Sequence, residues 1–160
     1  MILAIDPGST ESGYVVLDEE LRPIEFGKID NELLIKKIYD NEFFKCDYIA
    51  IEMIASYGMS VGQTIFDTCV YIGRLREAIY NKCPVDIHYI YRKDEKMNLC
   101  HTMKAKDTNI RTALIDRFGA VGVKKSPGWF YGVSKDVWAA VAVGVTFSDM
   151  YLKDGVFNDK

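Results

Sequence analysis

The chain opens on an unbroken apolar run. Residues Met1 to Ile5 are all apolar and are followed by Asp6 and then by a Pro-Gly pair. Such a run is typical of a strand buried on both faces, like the central parallel strand of an α/β sheet. Because open α/β sheets place ligands at the carboxyl ends of their strands, Asp6 is a candidate site residue. The alternative is that Asp6 only begins a turn, since Asp before Pro-Gly is common in turns.

The following segments predict an antiparallel meander and then a helix. Residues 13–18 and 24–29 are predicted to be strands joined by a short polar turn, so the first three strands pair antiparallel. Asp30 and Asn31 offer N-caps to a predicted helix from about Glu32 to Phe44.

A second short apolar run, Asp47 to Glu52, also ends in an acid. Because a helix separates this run from the meander, a parallel crossover is predicted to place it beside the first strand. Asp6 and Glu52 would then end neighbouring strands about 4.8 Å apart. Two carboxylates at that distance repel each other unless a cation or a proton lies between them. The pair therefore predicts a site at this edge of the sheet.

The remaining elements follow from helical spacing, alternation and glycine content. Their predicted order is a loop (54–62), a helix (63–81), a strand (85–91), a short helix (92–99), a helix (106–118), a loop (119–132) and a last helix (135 to about 152). The helix at 63–81 is apolar on more than one side, which suits a core helix that also supports a dimer, or a helix packed in the core alone. Ser134 is the predicted N-cap of the last helix, whose small residues form a face that can pack flat on a sheet.

Composition predicts one soluble domain over residues 1–152, with a tail at 153–160. The chain has 160 residues, of which 49% are hydrophobic and 27% charged. It has no run long enough to span a membrane and no basic signal-peptide start, so a cytoplasmic protein is expected, in the host cytoplasm if it is viral. Its four cysteines lack the paired spacing of zinc or redox motifs.

Charge is distributed unevenly along the chain. The net charge is −3, which by itself argues against a nucleic-acid partner. Residues 92–135, however, contain ten Lys and Arg against four Asp and Glu, which leaves −9 for the rest of the chain. This asymmetry is typical of a surface that binds a polyanion. The alternative is a solvated helix face with scattered lysines.

Four segments, in this order and spacing, resemble the RuvC-type Holliday-junction resolvases, including their phage and poxvirus relatives. They are AIDPGSTESGYVVLD (Ala4–Asp18), YIAIE (Tyr48–Glu52), IGRLREA (Ile72–Ala78) and KDVWAAVAVG (Lys135–Gly144). The resemblance implies a ribonuclease H-like α/β fold with a mixed five-stranded sheet. In that sheet an antiparallel meander joins two parallel strands, with helices on both faces.

The resemblance also implies a metal site made of Asp6, Glu52 and Asp136. Clustered carboxylates suit hard cations, and two divalent ions can activate a water and stabilise the leaving oxygen of a phosphodiester. Two Mg²⁺ ions are therefore expected, with Mn²⁺ able to substitute. The family usually has a further acid three residues into the last helix, where this chain has Ala139. This departure leaves the fourth ligand open.

Candidate DNA contacts come from the basic segment and the long helix. Lys104 and Lys106 lie near the position of a family lysine that contacts phosphate, and further candidates are Arg74, Arg76, Lys124 and Lys125. Tyr57 is the nearest aromatic after Glu52 and is either a junction wedge or a plain loop residue. The aromatic residues 129–131 either stack on an unpaired base or pack under their loop.

The function implied by the resemblance is that of a Mg²⁺-dependent endodeoxyribonuclease. It would resolve four-way and other branched DNA by paired hydrolysis in recombination and repair, as a homodimer with no small-molecule cofactor and no membrane partner. One alternative is a catalytically weak branched-DNA-binding protein. An actin-like nucleotide-binding domain is another, although that architecture needs two such domains.

Overall fold

The computed structural model describes residues 1–56, 58, 60–82, 85–134 and 136–152. The strands are β1 (Ile2–Asp6), β2 (Glu11–Leu17), β3 (Pro23–Asp30), β4 (Tyr48–Met53), β5 (Ile87–Tyr91), β6 (Gly122–Val123) and β7 (Ser126–Pro127). The helices are α1 (Asn31–Tyr39), α2 (Gln63–Lys82), α3 (Arg92–Cys100), α4 (Asp107–Phe118) and α5 (Val137–Phe147), the last followed by a π-helical segment, Ser148–Leu152. Tyr57 and the predicted tail at 153–160 lie outside the described residues. Within the described ranges, no helix is long and apolar enough to cross a bilayer.

The main sheet has the strand order β3-β2-β1-β4-β5. β1 pairs antiparallel with β2, and β2 pairs antiparallel with β3. β4 lies between β1 and β5 and is parallel to both. The predicted mixed sheet, with a meander and two parallel strands, is therefore confirmed.

Helices cover both faces of this sheet, as predicted. Leu3 and Ile5 of β1 are buried in a core that includes residues of α1 and α2, whereas Ile2 and Ala4 are buried in a second core built largely on α5. Because successive side chains of a strand point to opposite faces, the unbroken apolar run at the N-terminus fills both cores.

The last helix packs very closely on the sheet. A Cβ atom added to Gly144 would lie 2.6 Å from Cδ1 of Leu17 and 3.0 Å from Cβ of Ala4, so the backbone of the helix lies directly on side chains of β1 and β2. The predicted small-residue face is thus confirmed. The N-cap residue differs from the prediction, because α5 begins at Val137 and Asp136 precedes it. The backbone oxygen of Ser134 nevertheless accepts hydrogen bonds from Val137 and Trp138 at the start of the helix.

Two other expectations change in detail. The first helix ends at Tyr39 and not near Phe44, and the loop at 119–132 contains the small β6–β7 hairpin. Within this loop Phe130 is fully buried, and Trp129 stacks on Phe118. These contacts favour packing under the loop over base stacking for these two aromatic residues.

Candidate active site

Asp6 and Glu52 meet at the carboxyl ends of β1 and β4. The parallel register aligns Ile5 with Ile51. Asp6 and Glu52, which directly follow these two residues, therefore lie side by side. By strand alternation Asp6 lies on the face of Ala4, which packs against α5. The Asp6 carboxyl is hydrogen-bonded to Glu52. The predicted proximity of these two acids is confirmed.

The surroundings of the pair keep a proton on it. Burial, together with the negative charge of Glu52 and the hydrogen bond to it, raises the pKa of Asp6 to about 8. Burial and the charge of Glu95 raise the pKa of Glu52, while the hydrogen bond from Asp6 acts in the opposite direction. The two carboxyl groups therefore share a proton, which a bound cation could replace.

The third predicted acid, Asp136, stands at the N-terminus of α5, where the helix dipole favours a negative charge. Its side chain is 53% exposed and its Oδ2 atom lies 3.6 Å from Nζ of Lys28. Lys28 also pairs with Glu11 at 3.1 Å. Asp136 and Asp6 line the same cleft, and the charge of Asp136 contributes to the raised pKa of Asp6.

Three charged residues of this region were not predicted. Arg92, the first residue of α3, forms ion pairs with both Glu95 and Asp107. The side chain of Asp107 is 89% exposed, whereas that of Glu95 is 0% exposed and its Oε1 atom has no hydrogen-bond partner among the described residues. Burial raises the pKa of Glu95 to about 8, although Arg92 acts against this shift.

The cleft beside these acids has a volume of about 290 Å³. Its lining includes the side chains of Asp6, Arg92, Asp107, Arg111, Asp136 and Ala139. The guanidinium of Arg111 lies 5.0 Å from the centroid of the Trp138 ring, a cation–π contact that orients it at the cleft. Ala139 brings a methyl group to this surface, so the last helix supplies one acid to the cleft and not two.

A divalent cation fits the chemistry of these donors. The acids offer carboxylate oxygens, Asp6 and Glu52 share a proton, and one buried oxygen of Glu95 is without a partner among the described residues. Hard cations such as Mg²⁺ and Mn²⁺ prefer such oxygens. Within the described ranges, however, no three His, Cys, Asp or Glu side chains are already arranged to hold a metal ion. The roles of Asp6, Glu52 and Asp136 as ligands therefore stay a prediction.

The predicted DNA contacts occupy several surfaces. Lys104 and Lys106 are exposed just before α4, next to Asp107 at the cleft, and Lys124 and Lys125 are exposed in the turn between β6 and β7. On α2, Arg76 is exposed, but Arg74 makes two hydrogen bonds to Glu32 and lines a separate cavity. The structure thus does not bring Arg74 to the cleft. Tyr57 lies outside the described residues.

Comparison with known proteins identifies the fold. No family model matches the chain, and neither does any curated protein. Among solved structures, the chain is similar to Thermus thermophilus RuvC in complex with a Holliday junction substrate, at 15% identity and a TM-score of 0.71 over 96% of this chain and 95% of that one. A further Thermus thermophilus RuvC structure gives 16% identity and a TM-score of 0.67 over 96% of each chain.

The yeast mitochondrial Holliday junction resolvase Ydc2 is also similar, at 12% identity and a TM-score of 0.50 over 96% of this chain and 82% of that one. These likenesses agree with the strand order and the mixed sheet described above. The chain therefore has the ribonuclease H-like fold of the RuvC-type Holliday junction resolvases.

Proposed function

We propose that this chain is a metal-dependent, structure-selective endonuclease that resolves four-way and other branched DNA by paired hydrolysis. The observation that carries the proposal is the half-buried, hydrogen-bonded pair of Asp6 and Glu52 at the edge of a resolvase-like sheet. The nuclease domain is proposed to occupy residues 1–152. A role in DNA recombination and repair follows from that substrate, and membership of the phage and poxvirus branch stays a prediction.

Asp6 and Glu52 are proposed to hold one Mg²⁺, replaceable by Mn²⁺, and Asp136 to hold a second ion together with Asp6. When bound, such ions activate a water molecule and stabilise the leaving oxygen of an in-line displacement. Asp6 has to lose its proton before it can bind a cation, so its pKa of about 8 makes the site pH-dependent. Lys28, 3.6 Å from Asp136, helps to hold that carboxylate in place.

Cations around the cleft are proposed to bind the DNA backbone. Arg111 lines the cleft beside Asp6 and forms no ion pair with a described residue, so its guanidinium is available to a phosphate. Arg92 lines the same cleft, but its guanidinium already forms ion pairs with Glu95 and Asp107. The exposed lysines 104, 106, 124 and 125, with Arg76, extend the positive surface. Contacts of this kind position DNA without reading its sequence.

A homodimer is proposed because a four-way junction has two-fold symmetry and needs two cuts. Apolar side chains on α1 and α2 support it. The exposed apolar residues of these helices are Leu33 and Tyr39 on α1 and Phe66, Val70 and Tyr80 on α2. The exposed fraction is 67% for Val70 and 81% for Tyr80. Tyr39 and Val70 also line one groove between the two helices. A second copy of the chain would cover this apolar surface.

A non-catalytic branched-DNA-binding protein is the second candidate, favoured by Ala139 and by the lack of three preassembled metal ligands in the described ranges. A substrate panel separates the two. Labelled four-way junction, fork, flap and linear duplex are each incubated with the protein in Mg²⁺ and in Mn²⁺. Cutting of the branched substrates but not of the duplex is expected. Binding to branched DNA without any cutting would favour the second candidate.

A further inference from the structure

We infer that Glu95 is a metal-positioning residue that binds the water molecules around the cation at Asp6 and Glu52. It supplies the additional acid that the last helix lacks, because this helix has Ala139 where an acid is expected. This inference rests on the proposed function. It assigns the additional carboxylate to α3, an element that carries none of the three predicted ligands.

The first observation is the state of the Glu95 side chain. It is fully buried, and only one of its two oxygens is paired: Oε2 accepts from Arg92, whereas Oε1 has no partner among the described residues. A buried polar group normally has its hydrogen-bonding positions satisfied, because each unpaired position costs about 1–3 kcal/mol. An ion pair with Arg92 alone would not account for the free oxygen.

The second observation is where this carboxylate lies. Glu95 forms an ion pair with Arg92, which lines the cleft beside Asp6, so Glu95 lies near the acids proposed to bind the first ion. In agreement, Glu95 contributes to the raised pKa of Glu52, and Asp6 contributes to the raised pKa of Glu95. Glu95 is therefore placed near the pair by α3, the helix that directly follows β5, and not by α5, which carries Asp136 and Ala139.

We assign Glu95 to the water molecules around the ion, and not to the ion itself, because no three of the described carboxylates are already arranged to coordinate a metal directly. Mg²⁺ dehydrates reluctantly and usually keeps several of its waters. A buried carboxylate oxygen is a strong acceptor for such a water. Removal of a residue that supports a metal site without coordinating the metal typically lowers the metal affinity by about 10–100-fold.

Asp107 supplies a matched control. It pairs with the same Arg92 and places a negative charge at the same cleft, but its side chain is 89% exposed. If Glu95 acted only by neutralising Arg92 or by adding negative charge, loss of either acid would have a comparable effect. If the buried free oxygen is what matters, Glu95 has the larger effect.

The test is a Mn²⁺ titration of the full chain, followed by the electron paramagnetic resonance signal of free Mn²⁺. Wild type, Glu95→Gln, Asp107→Asn and Asp6→Asn are compared, and circular dichroism in EDTA verifies that each variant is folded. We expect Glu95→Gln to raise the Kd for Mn²⁺ by about 10–100-fold. Asp107→Asn should raise it by at most about fivefold, as is typical of an exposed charge.

Equal Kd values for Glu95→Gln and wild type would overturn the inference, and so would equal losses in Glu95→Gln and Asp107→Asn. If Mn²⁺ binding is lost in Asp6→Asn but unchanged in Glu95→Gln, the proposed function stands and only the inference fails. If wild type binds no Mn²⁺, both fail.

Discussion

Gly13 and Asp136 are in direct backbone contact: a Cβ atom added to Gly13 would lie only 2.7 Å from the carbonyl oxygen of Asp136. Gly13 is also the residue paired with Asp6 in the β1–β2 ladder. The absence of a side chain at this position therefore allows the start of α5 to approach β2 and brings Asp136 to the cleft that Asp6 lines. Gly13, which lies far from Asp136 in the sequence, thus allows the start of α5 to come close to the end of β1.

Replacing Gly13 with Ala should damage both the fold and the site. The new methyl group can be accommodated only if α5 or β2 moves, because the atom it meets belongs to the backbone. We expect a loss of about 1–3 kcal/mol in the free energy of unfolding. Displacement of Asp136 should lower the rate of junction cutting by at least about tenfold.

Gly73→Ala is the control for the steric clash, since a Cβ atom at this helical position meets nothing within 4 Å. Because Gly73 also lines the groove assigned to the dimer surface, light scattering first verifies that this variant keeps the wild-type mass. Gly73→Ala should leave the free energy of unfolding unchanged or raise it by about 0.5–1 kcal/mol. Urea unfolding of both variants measures the difference. Wild-type stability and cutting in Gly13→Ala would show that the contact does not position Asp136.

In EDTA, the stability of the protein should fall as the pH rises. The pKa of Asp6 is raised from 3.8 in the unfolded chain to about 8 in the folded one, so the folded state binds more protons between these values. By linkage, the free energy of unfolding decreases from about pH 4 to about pH 8 and then levels off. Glu52 and Asp136 repel the Asp6 carboxylate that forms, and Arg92 attracts it.

Urea unfolding between pH 5 and pH 9 measures this dependence. Asp6→Asn, which has no proton to lose at this position, should show a smaller decrease than wild type. Part of the decrease in the free energy of unfolding should remain in that variant, because the pKa of Glu95 is also raised to about 8. Identical pH profiles for the two proteins would contradict the protonated state assigned to Asp6.

Much of the fold could be predicted because its signals are local. The unbroken apolar run of β1 and the acid at the end of each of two strands are visible in the sequence, and sheet topology then places Asp6 beside Glu52. The small residues of the last helix likewise indicate its close packing. For Asp136, the predicted role depends on the resemblance and not on local pattern.

Glu95 and Arg92 could not be found in this way. They lie in the segment RKDEK, five consecutive charged residues that are typical of a solvated helix start. Glu95 is buried only in the folded chain, where α3 packs against α4, α5 and β5, and a helix that is polar by sequence gives no sign of this. Lys28 and Gly13 were missed for a related reason, since each acts through a neighbour on another element.

Arg111 should contribute to junction binding through one phosphate. We expect Arg111→Ala to weaken binding and to lower the slope of log affinity against log salt concentration by about one. Arg111→Lys should lose less, because the positive charge remains. Arg22→Ala is the control, since this exposed residue lies in the turn between β2 and β3, at the end of the sheet away from Asp6. Gel shifts at several salt concentrations measure these effects, and equal slopes for all four proteins would exclude the contact.

Val70→Asp should convert a dimer into a monomer. Val70 is 67% exposed on the proposed dimer surface, where a buried carboxylate would oppose association. Light scattering after size exclusion measures the mass of each species. Val123→Asp introduces the same change at a valine that is 64% exposed in the β6–β7 hairpin and should leave the mass unchanged. A monomeric wild type, or a dimeric Val70→Asp, would show that this surface is not the interface.

The central claim, that Asp6 is part of a metal-dependent nuclease site, is tested most directly by incubating an end-labelled four-way junction with wild type and with Asp6→Asn in Mg²⁺. We predict that wild type cuts opposite strands at symmetry-related positions. Asp6→Asn should bind the junction with unchanged or higher affinity and cut it at least about a thousandfold more slowly. Cutting by Asp6→Asn at the wild-type rate, or no cutting by wild type, would contradict the account.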